Sequence, residues 1–502
     1  MSFIKSIQQY SIFRAELKNI LFWAFILRLC AVIFSEGYGM HDDHFLIIES
    51  SSSWVDGYDY NNWLPWTVGN NGIPSGHSFT YVGLNYIFFE CMDFLGLDNP
   101  KLLMFLNRFI HALWSLLIVL YSYKITLFLS DKKTALLVSV FMAFTWIIPF
   151  MSVRNLVEFV PIPFLLMSIY YVLKNDHWRT YLLSGILVGF AISFRYQIAV
   201  FALGMGLVFL YRLQIKACIF FALGFLFVFS FTQGLVDYMI WGKPFAEFIA
   251  YSTYNMNEGT QYLKNQNYFM YVGVLMGIML FPLGILLFVG FLNSFNKYAL
   301  LFVPSFLFLL FHTIYPNRQE RFILTILPLF ILLGILGYQQ VIRRFNGKQY
   351  FEKIWSISLR VFWVINIPLL LFFSFTSSKI SRVNAMYSLY NNTLEDEKIL
   401  IEASGEANPE MMPKFYGKSW KANFYEKIDT LNIVTEFSNA QLDYIFFFGE
   451  QRLKQRIELY KKLYPKMSIH SKCYSNFMDK TLNKINPRNS NQYIEVWKTK
   501  VR

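Results

Sequence analysis

The chain is short of charge. Only 15% of its 502 residues are Asp, Glu, Lys or Arg, against about a quarter in a soluble globular protein. That shortage excludes an ordinary water-soluble enzyme of this length. Cysteine is scarce too: Cys30, Cys91, Cys218 and Cys473 stand far apart. With no Cys-x-x-Cys and no Cys/His cluster, neither a zinc site nor a disulfide framework is indicated. No internal repeat of solenoid period is present. No small-residue cleavage site follows the first apolar run, 20–34, and Arg28 interrupts it. The run therefore reads as a retained first transmembrane helix, not a signal peptide.

Apolar residues are abundant: 55% of the chain is hydrophobic and 20% aromatic. Further candidate spans lie at about 105–128, 134–150, 157–173, 180–196, 197–211, 217–237, 268–292, 298–314, 322–341 and 357–376. The pair at 180–211 could also be one long helix with a break. The segment 79–95 is apolar but carries Asn85, Glu90 and Asp93, so it reads as an interfacial helix rather than a span. The net charge of +13 suits basic loops against anionic lipid better than nucleic acid. Lys5, Arg14 and Lys18 precede the first span. Most later basic connections, including Asp131-Lys132-Lys133 and 343–348, fall on that same side if about eleven helices cross. The N-terminus is then cytoplasmic, and the first loop (36–104) and the C-terminus lie outside. Residues 380–502 have no span. Strands are expected at 398–404, 432–436, 443–449 and 493–499, and an amphipathic helix at 450–464. The expectation is a polytopic α-helical membrane domain (1–379) with a soluble extracytoplasmic α/β domain (380–502).

Charge beside hydrocarbon is expensive and marks function. Gly39-Met40-His41-Asp42-Asp43-His44-Phe45 puts two adjacent carboxylates between two histidines just after the first span. On the outer face implied by the charge bias it is joined by His77, Arg154, Glu158, Arg195, Asp237, Arg318, Glu320 and Arg321. Three readings of the acids stay open: a transporter's cation or proton site, a metal site with His41 and His44, or a general base acting on a hydroxyl. Transporters place their charges near the bilayer midplane and carry repeats; here the charges gather at one surface. Planar arginine forks suit a phosphate leaving group. Trp54, Trp63 and Trp66 read as interface anchors.

Five segments, in order, resemble the membrane-embedded GT-C glycosyltransferases. The similarity is greatest to the family-22 group, which includes the mannosyltransferases of asparagine-linked glycan and GPI-anchor assembly. The segments are Asp42-Asp43-His44-Phe45 with Glu49; Arg154-Asn155-Leu156-Val157-Glu158; the Gly-rich run from Ser184 to Arg195-Tyr196-Gln197; Asp237-Tyr238-Met239-Ile240-Trp241-Gly242-Lys243-Pro244 with Asn255; and Asn317-Arg318-Gln319-Glu320-Arg321-Phe322 with Pro328. The family's Pro between His and Asp is absent. The register of Phe45 and Glu49 makes Asp42 the family's first-loop aspartate, whereas anchoring on His41 would make it Asp43.

The resemblance implies a GT-C fold and an inverting transfer of a sugar, mannose by analogy, from a polyprenyl-phosphate donor to a hydroxyl of a glycan or lipid-linked acceptor. It implies Asp42 as general base with Asp43 as neighbour or alternative. Arg195 and Arg321, then Arg318 and Arg154, would bind the donor phosphate. Gln197, Glu320, His44 and His77 would contact substrate. The leaving phosphate is a stable anion, so no metal and no cofactor are expected. Alternatives are transfer of another sugar or a cyclic amino-sugar, a transporter or flippase of lipid-linked saccharide, and a scaffold. The Lys, Asn, Ile and Phe bias suggests an AT-rich bacterial genome. The protein would then sit in the cytoplasmic membrane with its site facing outward; in a eukaryote the same topology faces the endoplasmic-reticulum lumen.

Overall fold

The computed structural model describes residues 16–67, 69–70, 72–258, 267–345, 349–390, 397–404, 411–427, 442–486 and 493–499. Lys5, Arg14, residues 259–266 and 346–348 and the expected strand at 432–436 lie outside them. The chain divides into two compact units. The first comprises Met1–Ala31, Asn62–Gly83 and Arg108–Ser374; the second comprises Val32–Asn61, Leu84–Asn107 and Phe375–Arg502.

The first unit is a helical bundle. Helix occupies the apolar segments read from the sequence. Among the described residues, five helices are long and apolar enough to cross a membrane: Leu17–Phe34, Pro100–Leu129, Ile215–Trp241, Glu320–Arg344 and Gln349–Ser374. A sixth span arises if Met270–Ile278 and Leu283–Asn293, bent by 118°, count as one. Ile162–Lys174, Trp178–Phe194, Tyr196–Tyr211 and Ala299–Ile314 are shorter apolar helices. The protein is a multi-pass membrane protein. The stretch 180–211 is two helices, parted at Arg195, whose backbone is extended (φ −150°, ψ 112°).

Arg28, the charge inside the first span, is fully buried. Its guanidinium donates to Ser115 Oγ at 2.7 Å and to the carbonyls of Ala24, Met142 and Ala143. An intramembrane charge is tolerated when it faces protein and its donors are satisfied. The Gly-rich segment serves packing. A Cβ on Gly185 would stand 2.0 Å from the Phe221 carbonyl oxygen, and one on Gly224 would stand 2.2 Å from that of Leu182. Small residues let two helix backbones approach this closely.

Breaks in the helices deliver the polar segments. Lys132–Phe144 is followed, after a gap at Thr145, by Ile147–Met151. Asn366 satisfies the gap, accepting from Trp146 N at 2.9 Å and donating to Phe144 O at 2.7 Å. The chain then turns through Arg154 to Glu158 before Ile162–Lys174 begins.

The second unit holds a five-stranded mixed sheet. Its strands are β1 (Lys398–Glu402), β2 (Asn423–Lys427), β3 (Tyr444–Phe448), β4 (Ser468–Cys473) and β5 (Ile494–Lys498), in the order β2-β1-β3-β5-β4. β1 runs parallel to β2 and β3; β5 is antiparallel to β3 and β4. All five residues of β3 are buried, as expected of a central strand covered on both faces. Leu400, Ile445, Phe447, Ile457 and Tyr460 form the core with the helix Leu453–Leu463. That helix is the one expected at 450–464, but Arg456 turns inward and pairs with buried Glu402 at 2.5 Å. β2, β4 and the helix Phe477–Ile485 are additions to the expected elements.

Candidate active site

In the first unit a single carboxylate organises two of the expected arginines. Glu158 is completely buried. Its Oε1 lies 2.8 Å from Arg195 Nη1 and 3.3 Å from Arg321 Nε. Arg321 Nε also donates to Gln319 Oε1 at 2.8 Å. The Arg195 guanidinium stacks 4.3 Å from the centre of the Phe322 ring. Thr325 Oγ1 donates to the Glu158 carbonyl at 3.0 Å, tying the segment after the first helix break to the start of Glu320–Arg344. Arg195 reaches this point because the chain between its two helices is extended.

Arg318 is held differently. Its Nε donates to the Tyr315 carbonyl at 3.2 Å, and its guanidinium lies 4.8 Å from the Tyr268 ring centre. Both terminal nitrogens are buried, and among the described residues they have no hydrogen-bond partner. A buried cation with unsatisfied donors is costly unless a ligand supplies the acceptors. Arg154 packs on Phe150, 4.3 Å from the ring centre. Gln197 is half-buried in the turn Tyr196–Ile198. Glu320 is exposed, so Glu158 is the acid that gathers Arg195 and Arg321.

His77 belongs to a second buried-carboxylate arrangement in the same unit. Glu247 Oε2 accepts from Gly76 N at 2.5 Å, His77 N at 3.1 Å and Ser75 Oγ at 3.0 Å. Its Oε1 accepts from Trp241 Nε1 at 2.9 Å, and Asp237 Oδ2 accepts from Glu247 N at 2.9 Å. Burial pushes the Glu247 carboxyl above its ordinary value, outweighing these donors. Trp63 is buried and stacks on the His77 ring at 5.0 Å, so it is not an interface anchor. Nothing in the sequence signals Glu247, whose loop partners lie 170 to 172 positions away.

In the second unit the opening acidic segment is a short helical turn, His41–Asp43, that runs into a wide turn, His44–Glu49. The two carboxylates part company here. The Asp42 side chain is 51% exposed, while Asp43 is 3% exposed. His41 Nδ1 stands 3.8 Å from Asp42 Oδ1. His44, expected at the substrate, is buried instead. Its ring stacks between Tyr38, at 4.6 Å, and Tyr416, at 5.7 Å. Its Nε2 lies 3.2 Å from Glu49 Oε1. Glu49 is fully buried, and both its oxygens accept from Phe415 N at 3.1 Å. His44 and Glu49 thus anchor the acidic segment against the chain at 415–416. Among the described residues no three of His, Cys, Asp and Glu gather in a metal-holding set.

Two solved structures share this fold. ArnT from Cupriavidus metallidurans, in a crystal structure bound to undecaprenyl phosphate, superposes with a TM-score of 0.62 at 12% identity, covering 97% of this chain and 99% of that one. The oligosaccharyltransferase of Archaeoglobus fulgidus, tethered with an acceptor peptide, superposes with a TM-score of 0.53 at 11% identity, covering 86% of this chain and 69% of that one. The fold is therefore that of the GT-C glycosyltransferases, as the ordered motifs imply. The chain belongs to the Alg9-like mannosyltransferase family, whose family model matches residues 19–401, and is an enzyme of sugar transfer. Comparison with curated protein sequences finds no match.

Proposed function

We propose that the protein transfers mannose, with inversion, from a polyprenyl-phosphate donor to a hydroxyl of a glycan or lipid-linked acceptor on the extracytoplasmic side of the membrane. The observation that carries this reading is the buried Glu158–Arg195–Arg321 cluster together with Arg318, whose terminal nitrogens await an acceptor-rich group. A phosphodiester meets that demand. The family supports mannose as the sugar, and ArnT is a protein of this fold bound to a polyprenyl phosphate.

In the proposed step the acceptor oxygen attacks the anomeric carbon. The bond from that carbon to the phosphate oxygen breaks, and polyprenyl phosphate leaves with one more negative charge. Arg318, Arg195 and Arg321, with Arg154 in support, stabilise the charge as it develops, where fixed donors act without reorganising. Asp42 takes the proton from the attacking hydroxyl; its exposure suits it to meet an incoming acceptor, and Asp43 positions the turn. Gln197, Glu320 and His77 contact substrate, and His44 positions the acidic segment. The topology proposed with this reading is eleven spans with a cytoplasmic N-terminus. The membrane domain is 1–379, and the domain 380–502 lies outside. The test is transfer by purified protein from polyprenyl-phosphate mannose to the lipid fraction of its native membrane, read by mass. Asp42→Asn should slow product formation by about 10²–10⁴. Undiminished product from that variant would remove Asp42 from the reaction.

A further inference from the structure

The second unit contains a cavity of about 510 Å³ beside the edge strand β2. That volume lies within the range of small-molecule sites. Tyr60, Asn61, Lys414, Asn423, Phe424 and Glu426 line it. Phe424 and Glu426 alternate along β2, so both face the same side.

Its chemistry is selective. Lys414 Nζ donates to the carbonyls of Trp420 at 3.1 Å and Ala422 at 3.0 Å. An ammonium has three protons, so one remains for a ligand. The same nitrogen lies 5.7 Å from the Tyr60 ring centre and 5.4 Å from that of Phe424, which puts both rings next to a polar donor. Burial lowers the Lys414 ammonium's pKa, with Glu49 opposing, and Glu426 adds a carboxylate to the wall. An anionic ligand would meet that carboxylate. A neutral polyhydroxylated ring fits the set better. Its C–H face can lie on Tyr60 or Phe424, and its hydroxyls can donate to Glu426 and accept from Lys414.

The cavity is also tied to the acidic segment. Asn61 Nδ2, from its wall, donates to the Phe45 carbonyl at 3.1 Å and to Ser50 Oγ at 2.5 Å. Phe45 follows Asp42 by three positions and stands in the wide turn anchored by His44 and Glu49.

We infer that this cavity is a saccharide subsite that holds a sugar of the acceptor; the acceptor role, though not the saccharide binding, rests on the function proposed above. The experiment uses the full-length purified protein and saturation-transfer NMR with mannobiose, chitobiose and lactose as neutral probes and glucuronate as an anionic one. At least one neutral disaccharide should bind. Phe424→Ala and Glu426→Gln should each weaken that binding about tenfold, the worth of one charge-assisted hydrogen bond or one aromatic contact. Tyr425→Ala, on the opposite face of the same strand, should leave it unchanged. The inference is overturned if no neutral disaccharide binds, if only glucuronate binds, or if binding survives both cavity variants. Phe424-dependent binding in a protein that transfers no mannose would uphold the cavity and sink the functional proposal. Normal transfer with binding indifferent to Phe424 and Glu426 would do the reverse.

Discussion

Glu158 Oε1 lies 2.8 Å from Arg195 Nη1, and the carboxylate is completely buried. Breaking such a pair from one side strands the other charge, which costs about 3–5 kcal/mol. Glu158→Ala should therefore destabilise the protein by that order and lower its thermal unfolding midpoint in detergent. Glu158→Gln, which keeps the volume and one acceptor, should cost less. Equal unfolding midpoints for wild type and Glu158→Ala would mean that the pair does not organise the bundle.

The two adjacent aspartates should separate in kinetics as they do in exposure. General-base catalysis contributes about 10²–10⁴ in rate, so Asp42→Asn should lower kcat by that factor while leaving the unfolding midpoint near that of wild type. Asp43→Asn should instead show its effect in thermal unfolding. A dead Asp43→Asn beside an active Asp42→Asn would reverse the assignment.

Arg318 should act on the donor. A hydrogen bond to a charged group contributes about 1.5–3 kcal/mol, so Arg318→Gln should raise the KM for polyprenyl-phosphate mannose by about tenfold or more. Arg318→Lys should recover little, because a lysine cannot present the planar fork. Titration of donor into Arg318→Gln, with product read by mass, checks both. An unchanged donor KM would place the phosphate elsewhere.

Glu247 predicts a pH dependence of stability. Its carboxyl pKa is raised on folding from 4.5, so the folded state holds its proton to higher pH than the unfolded state. The stabilisation is fully present below the unfolded value and is lost as pH rises through the folded one. Thermal unfolding from pH 4 upward should show that loss, and Glu247→Gln should remove it. An identical pH profile in the variant would contradict the assignment.

How much of this was legible depended on burial and on distance along the chain. β1 and β3 could be read because central strands are apolar runs. β2 and β4 are the two edges of the sheet, and edge strands such as Asn423–Lys427 mix polar with apolar residues, so no run announces them. The arginines could be read because each lies at the end of an apolar segment, where charge stands out. Glu158 was visible inside its motif, but its pairing with arginines 37 and 163 positions onward was not. Glu247 carried no signal, because the three donors on its Oε2 come from a loop 170 to 172 positions away.

Scarce charge and long apolar runs in the sequence marked this chain as a membrane protein. Five ordered motifs determined the family. Only the tertiary structure separated Asp42 from Asp43 in exposure. Successive residues of a helical turn point about 100° apart, so neighbours in sequence can face opposite environments, and the packing of the turn left Asp42 at the surface and buried Asp43.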